Sequence, residues 1–222
     1  MDKRKVFIQA QEDSLMPVAF GMETGLKISG CYVSSNCSRW ENGNYEISQD
    51  LYYHPIDFWS RWDRLVVILK DIGEVSFKTR LLAAYGEKFG MPVSVYQFDG
   101  VGLHKLEISW RNGAEVLQRI KEDEDYRRVY TINLKSINID ADYGSTALWV
   151  RGANLSYDFI DLPFDFVRRL QRWAEVYERF LWPEEDDILE EISDWFDCEQ
   201  QRLAQEFRKL NPHIKVIANR VW

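Results

Sequence analysis

Carboxylates are the reactive groups this chain concentrates most sharply. From Glu184 to Glu199 the sequence places Glu184, Glu185, Asp186, Asp187, Glu190, Glu191, Asp194, Asp197 and Glu199, with no Lys or Arg between them. Such a run supports three kinds of chemistry. As a solvated loop and helix start, it needs no ligand, because acids near a helix N-terminus complement the helix dipole. As a docking face, it steers a cationic partner and can mimic the phosphates that such a partner binds. As a catalytic or metal-holding pair, it needs only helical spacing, which sets some of so many acids side by side. Trp182 and Trp195 flank or sit within the run and suit apolar anchors inside a charged rim. The docking reading therefore assigns partner binding to Trp182, Glu184, Glu185, Asp186, Asp187, Glu190, Glu191, Asp194 and Trp195.

Other constellations lead to less. His54, His104 and His213 are the available imidazole bases, and none sits in a nucleophile motif; there is no Gly-x-Ser-x-Gly elbow. His213 stands where a helix should exit, and an imidazolium there would meet the negative end of the dipole. Cys31 and Cys37 with His54 suggest zinc, but the five residues between the cysteines exceed the usual gap of about two to four. Ordinary thiols are expected there, and Cys198 lies far along the chain. Lys121-Glu122-Asp123-Glu124-Asp125 lacks the alternating ligands and glycine of a calcium loop and reads as a solvated helix end. Walker and Gly-x-Gly-x-x-Gly patterns are absent, and Asp99-Gly100-Val101-Gly102 forms only a turn. No catalytic residue, metal or cofactor is expected.

Composition narrows the class of partner. A net charge of −8 opposes broad binding to nucleic-acid backbones, which requires basic side chains, and favours a basic protein. Aromatic residues make up 14% of the chain, more than a core of this size usually needs, so some are available for a partner or for a homo-oligomer. The apolar runs Leu65–Leu69 and Leu81–Tyr85 are far too short to cross a bilayer. Gln9, Gln11, Glu12 and Asp13 interrupt anything resembling the apolar part of an export signal. With an odd number of cysteines, these features lead to an expectation of a cytoplasmic protein with free thiols.

The elements that must position these groups follow from periodicity. Lys5–Ala10 and Gly25–Ser34 read as strands, and Asn42-Gly43 as the turn of a hairpin that brings Trp40 near Tyr45. From Pro55, the spacing of Phe58, Trp62, Leu65, Leu69 and Ile72 predicts one helix ending at Gly73, with the β-branched run Val66-Val67-Ile68 offering a strand as the alternative for its second half. A helix over Phe77–Phe89 ends at Gly90. Strands are expected at Met91–Phe98, Lys105–Trp110, Arg128–Leu134 and Ser136–Asp140, with a short helix carrying Val116, Leu117 and Ile120. Thr146–Val150 and Ser156–Ile160 form a hairpin around Gly152. Asp165 then caps a helix whose inward stripe is Val167, Leu170, Trp173, Ala174, Tyr177 and Phe180. A second helix, Ile188–Leu210, turns Ile192, Trp195, Phe196, Leu203, Phe207 and Leu210 inward, and a strand through Ile214, Val216 and Ala218 closes the chain.

The expected fold is α+β: a mostly antiparallel sheet with helices packed on one face, and a C-terminal β-hairpin followed by an antiparallel helix pair and a closing strand. It is either one domain over 1–222 or two intimate subdomains, 1–144 and a ββααβ module at 145–222. Leu162-Pro163-Phe164-Asp165 with Leu170, Trp173 and Tyr177, then Phe196, Glu199, Leu203, Ala204 and Leu210, resembles the C-terminal parts of small bacterial proteins. In size and composition these are similar to the cytosolic immunity proteins that neutralise polymorphic toxins. The resemblance covers the final third and rests on packing residues. It implies a non-enzymatic inhibitor of a basic toxin or nuclease domain. A metal-assisted enzyme using the clustered carboxylates with His104 or His213, or a self-associating subunit, are the alternatives.

Overall fold

In the computed structural model the described residues are 5–15, 17–18, 31–35, 54–142, 144–177 and 190–218. The chain forms two compact units, Met1–Lys121 and Glu122–Trp222. It is α+β, with helices and two mixed sheets. The expected hairpin at Asn42-Gly43 and the first part of the strand drawn from Gly25 lie outside the described residues.

The first unit is built on β1 (Val6–Ala10), β2 (Cys31–Ser35), α1 (Pro55–Arg61), β3 (Arg64–Leu69), α2 (Phe77–Lys88), β4 (Val93–Phe98) and β5 (Leu103–Leu106). Its strand order is β2-β1-β3-β4-β5. β1 runs parallel to β2 and β3, and β3 parallel to β4; only β5 is antiparallel to its neighbour. The expected mostly antiparallel sheet is thus corrected in this unit. A helix between consecutive strands carries the chain back to the starting edge, and parallel pairing follows, as α2 does between β3 and β4.

The single helix expected from Pro55 to Gly73 is corrected as well. Proline starts α1 at its first turn, but the helix ends at Arg61. Trp62 is already extended, at φ −114° and ψ 144°. Leu65 to Leu69 are all buried in β3. A strand paired on both edges and covered on both faces needs a continuous apolar run, and β-branched side chains fit it better than a helix. Phe7, Phe58 and Trp62 meet edge to face or tilted on one side of β1, while Val6, Ile8, Ala10, Leu15, Val66 and Ile68 form the core on the other. Behind them the fully buried Trp59 of α1 donates from Nε1 to the Leu82 carbonyl of α2 at 2.7 Å. Its ring lies so close to Gly86 that a Cβ there would stand 2.1 Å from Trp59 Cζ2.

The strand expected at Lys105–Trp110 is shorter and earlier, since only Leu103–Leu106 pairs with β4. The strand expected at Arg128–Leu134 is a helix: α3 runs Ala114–Asn133, straight through the acidic stretch read as a helix end. Its buried positions, Val116, Ile120, Arg127 and Thr131, follow helical spacing. The alternation of Tyr130, Ile132 and Leu134 is a coincidence that leaves Ile132 exposed. The division between the units falls within α3.

The second unit adds β6 (Ser136–Ile139), β7 (Leu148–Val150), β8 (Ala153–Asn154), α4 (Phe164–Val176), α5 (Glu190–Leu210) and β9 (Lys215–Ile217). The order β8-β7-β6-β9 joins β9 parallel to β6, and the other pairs are antiparallel. A boundary at 144/145 would separate β6 from both its partners. The hairpin turn at Arg151-Gly152 has positive φ at both residues, 53° and 80°, as a two-residue turn requires. Its second strand is β8, not the expected Ser156–Ile160, where Tyr157–Phe159 form one 3₁₀ turn instead. The Tyr157 hydroxyl accepts from the Ala147 amide at 2.9 Å, which holds that turn against the sheet.

Pro163, not Asp165, occupies the cap of α4, and Asp165 lies in its first turn. Phe166 meets Phe207, Arg169 pairs with Glu206, and Trp173 stacks on Phe196 at 4.4 Å, so α4 and α5 run antiparallel. Trp173 Nε1 also donates to the Phe196 carbonyl at 3.0 Å. Gln200 Nε2 ties α5 to β6 through the Ile139 carbonyl.

Replacing Gly86 with Ala should lower unfolding free energy by about 1–3 kcal/mol, because the buried Trp59 ring has no room to retreat. Gly102, which faces open space without a positive φ, is the control, and Gly102→Ala should change stability by less than about 0.5 kcal/mol. Denaturant unfolding followed by tryptophan fluorescence measures both. A Gly86→Ala protein as stable as its parent would exclude the close α1–α2 approach.

Candidate functional site

α5 owes its orientation to a helical apolar stripe. Phe196, Gln200, Leu203, Ala204 and Phe207 are buried at the spacing that puts them on one face. Residues on the opposite side of the helix then look outward. Trp195, expected on the inner face, is 47% exposed, and Asp194 is exposed next to it. Leu210, also expected inward, is exposed. Trp173 and Trp195 thus divide the two uses of tryptophan: the first fills the interface between α4 and α5, and the second stands on the outer surface.

Of the residues assigned to docking, Asp194 and Trp195 are brought together on that outer face. Glu190 and Glu191 open α5. Trp182, Glu184, Glu185, Asp186 and Asp187 lie outside the described residues. Further along the tract, Glu199 faces Arg202 at 3.6 Å, one turn on, so its charge is partly offset. Asp197 buries one carboxylate oxygen, Oδ1, with no hydrogen-bond partner among the described residues. Cys198 is a free, exposed thiol. Cys37 falls outside the described residues, and Cys31 lies in β2.

Two of the histidines weighed as bases, His213 and His104, have partners of their own. His213 Nε2 lies 3.0 Å from the Thr131 carbonyl oxygen, in the turn after α5. His104 Nε2 lies 2.7 Å from Asp99 Oδ2. Asp99 directly follows β4, and its Oδ1 accepts from the Val101 and Gly102 amides at 2.9 and 2.8 Å, so one carboxylate closes the β4–β5 turn. Those two amides, with His104 beside them, hold the Asp99 carboxyl down at about 2, because hydrogen bonds to the charged form favour it.

A second polar group gathers at the carboxyl ends of β1 and β3, and nothing in the sequence pattern singles it out. Gln11, just past β1, accepts through Oε1 from the Lys70 and Asp71 amides at 2.6 and 2.9 Å and donates from Nε2 to the Asp71 carbonyl at 2.8 Å. Lys70 Nζ reaches Glu12 Oε1 at 3.0 Å, and the Ser14 hydroxyl donates to Glu12. Those two contacts, Ser14 first, hold the Glu12 carboxyl below its ordinary value by the same preference for the charged form. Gln97 Nε2 donates to the Lys70 carbonyl at 3.2 Å. These residues come from separate stretches of chain, and only the strand order makes them neighbours. The one signal available beforehand was polar residues directly following apolar strands.

No known protein family and no curated protein matches this chain. Among the described residues, no helix is long and apolar enough to cross a membrane.

The Asp99 turn gives a signed pH dependence. Its folded pKa lies below the unfolded value of 3.8. The stabilisation is therefore complete above that unfolded value and is lost as pH falls through about 2. Amide hydrogen exchange at Val101 and Gly102 should stay slow just above the unfolded value and accelerate beyond the intrinsic trend only as pH approaches about 2. Asp99→Asn should abolish that pH-dependent step. Unaltered protection across the range would show that the carboxylate does not hold the turn.

Proposed function

We propose that this chain is a non-enzymatic, cytosolic binding protein of the immunity or inhibitor type, which caps a basic toxin or nuclease domain with the outer face of α5. The observation that carries this reading is the pairing of exposed Trp195 with exposed Asp194 on a helix whose opposite face is given over to the core. Tryptophan contributes more than most residues to interfaces when a partner covers it. The carboxylates from Glu184 to Glu191 precede that anchor closely in sequence, and their negative charge would raise the encounter rate for a cationic surface. The packing pattern of the final third, with its resemblance to small bacterial immunity-type proteins, supports the same reading.

The roles separate by experiment. Tagged wild-type protein, Trp195→Ala and Asp194→Lys are used as baits in lysate of the native cells at low and at moderate salt. A stoichiometric basic protein held by wild type and lost by Trp195→Ala is expected, with affinity reduced at least about ten-fold on the purified pair. Asp194→Lys should mainly slow association and flatten its salt dependence. Equal retention by all three baits, or recovery of bait alone, would exclude α5 as the docking face.

A further inference from the structure

In an open sheet with parallel strands, ligands lie outside the carboxyl ends of the strands where successive connections leave in opposite directions. The first unit has such a place. From β1 the chain goes to β2 on one side, then returns to β3 on the other, and continues outward to β4. The divide therefore lies between the carboxyl ends of β1 and β3, where Gln11, Glu12, Lys70 and Asp71 meet. Gln11 keeps this place in shape: its three hydrogen bonds across to residues 70 and 71 fix the spacing of the two strand ends beyond the last ladder bond, Gln11 N to the Ile68 carbonyl at 2.9 Å.

The groups around the divide specify a ligand by what they leave available. Phosphate sites at such divides use free loop amides. Among the described residues, three loop amides after β3 are occupied, those of Lys70 and Asp71 by Gln11 and that of Gly73 by Asp71 Oδ1 at 2.7 Å. Glu12, Asp71 and Asp99 would also repel an anion. A cation is opposed in turn by the Lys70 ammonium, which is 63% exposed and faces Glu12. Among the described residues, the side chains at the divide offer both acceptors and donors. Asp71 Oδ2 and Gln97 Oε1 accept, and an ammonium with three hydrogens, one directed at Glu12, donates.

A hydroxyl both donates and accepts, so neighbouring hydroxyls can satisfy such a mixture without adding charge. We infer that the carboxyl edge between β1 and β3 binds a neutral polyhydroxylated ligand, a free sugar or the ribosyl group of a nucleoside, through Lys70, Asp71 and Gln97. Glu12 orients the Lys70 ammonium, and Gln11 sets the distance between strand ends. This site is independent of the α5 face.

The test uses amide-resolved NMR of the full chain, titrated separately with D-ribose, adenosine, inorganic phosphate and 1,4-diaminobutane. Saturable shifts of the Lys70, Asp71 and Gly73 amides with ribose or adenosine are expected, and none with phosphate or the diamine. Asp71→Asn keeps an oxygen for the Gly73 amide but replaces an acceptor with a donor; it should weaken ribose binding about ten-fold, the loss of one hydrogen bond to a charged group. Lys70→Met should weaken it similarly. Both variants must retain the wild-type amide pattern elsewhere, and Asp99→Asn serves as a neighbouring carboxylate control that leaves ribose binding within about two-fold. No saturable shift with either polyhydroxylated probe, or shifts of these amides by phosphate or diamine instead, would overturn the inference.

Discussion

The constraint on which the first unit depends is that a strand enclosed on every side has no place for a polar side chain. β3 hydrogen-bonds to β1 on one edge and β4 on the other, and Leu65 to Leu69 are buried. Each polar group placed there would cost several kcal/mol unless paired. The polar residues of this region are consequently pushed to the strand ends: Arg64 at the start, Lys70 and Asp71 at the finish. Gln9 in β1 and Ser94 in β4 are exceptions; Gln9 is buried at 1% exposure between apolar neighbours, with its Nε2 donating to the adjacent Ala10 carbonyl at 3.3 Å. Among the described residues, the charged groups that flank β3 therefore stand at its two ends.

The same constraint explains what was legible in the sequence. Leu65 to Leu69 is conspicuous as an apolar run, yet the spacing of Phe58, Trp62, Leu65 and Leu69 also fits one helical face. A short run apolar on all sides carries no period, so strand and helix cannot be told apart by pattern. Tertiary pairing decided for the strand, and the β-branched Val66-Val67-Ile68 was the local hint. α3 failed in the opposite sense. Tyr130, Ile132 and Leu134 alternate, but only Leu134, beyond the helix, is buried; the residues that face inward, Arg127 and Thr131, are polar and invisible to an apolar count.

In the second unit the long amphipathic helices were readable because their stripes persist over several turns. Val167, Leu170, Trp173 and Ala174 are buried as spaced, and so are Phe196, Leu203 and Phe207. The Trp173–Phe196 stack fixes how those stripes meet, with the indole N–H satisfied by the Phe196 carbonyl. Trp195 shows where pattern reading stops. It neighbours a buried phenylalanine, and an aromatic beside an aromatic is easily assigned to the same face. A helix turns by about 100° per residue, so the two point in different directions, and the stack on Trp173 holds Phe196 inward while Trp195 stays exposed.

The two surfaces also differ in the physics that would govern them, and that difference follows from how their charges are arranged. Along Glu184 to Asp194 like charges accumulate without a basic residue. Their field adds, reaches outward by roughly 8–10 Å at ordinary salt, and is weakened by ions. At the sheet rim each charge is answered locally: Glu12 by Ser14 and Lys70, Asp71 by the Gly73 amide, Asp99 by two amides and His104. Such a group projects little field, but it presents donors and acceptors at fixed positions. The first arrangement favours capture of a large charged surface over distance. The second favours discrimination of small neutral groups at contact, since a ligand there gains only from matching hydrogen bonds that solvent would otherwise make. Salt should therefore separate the two proposed surfaces: binding at α5 would weaken with ionic strength, whereas binding at the rim would respond to the pattern of hydroxyls.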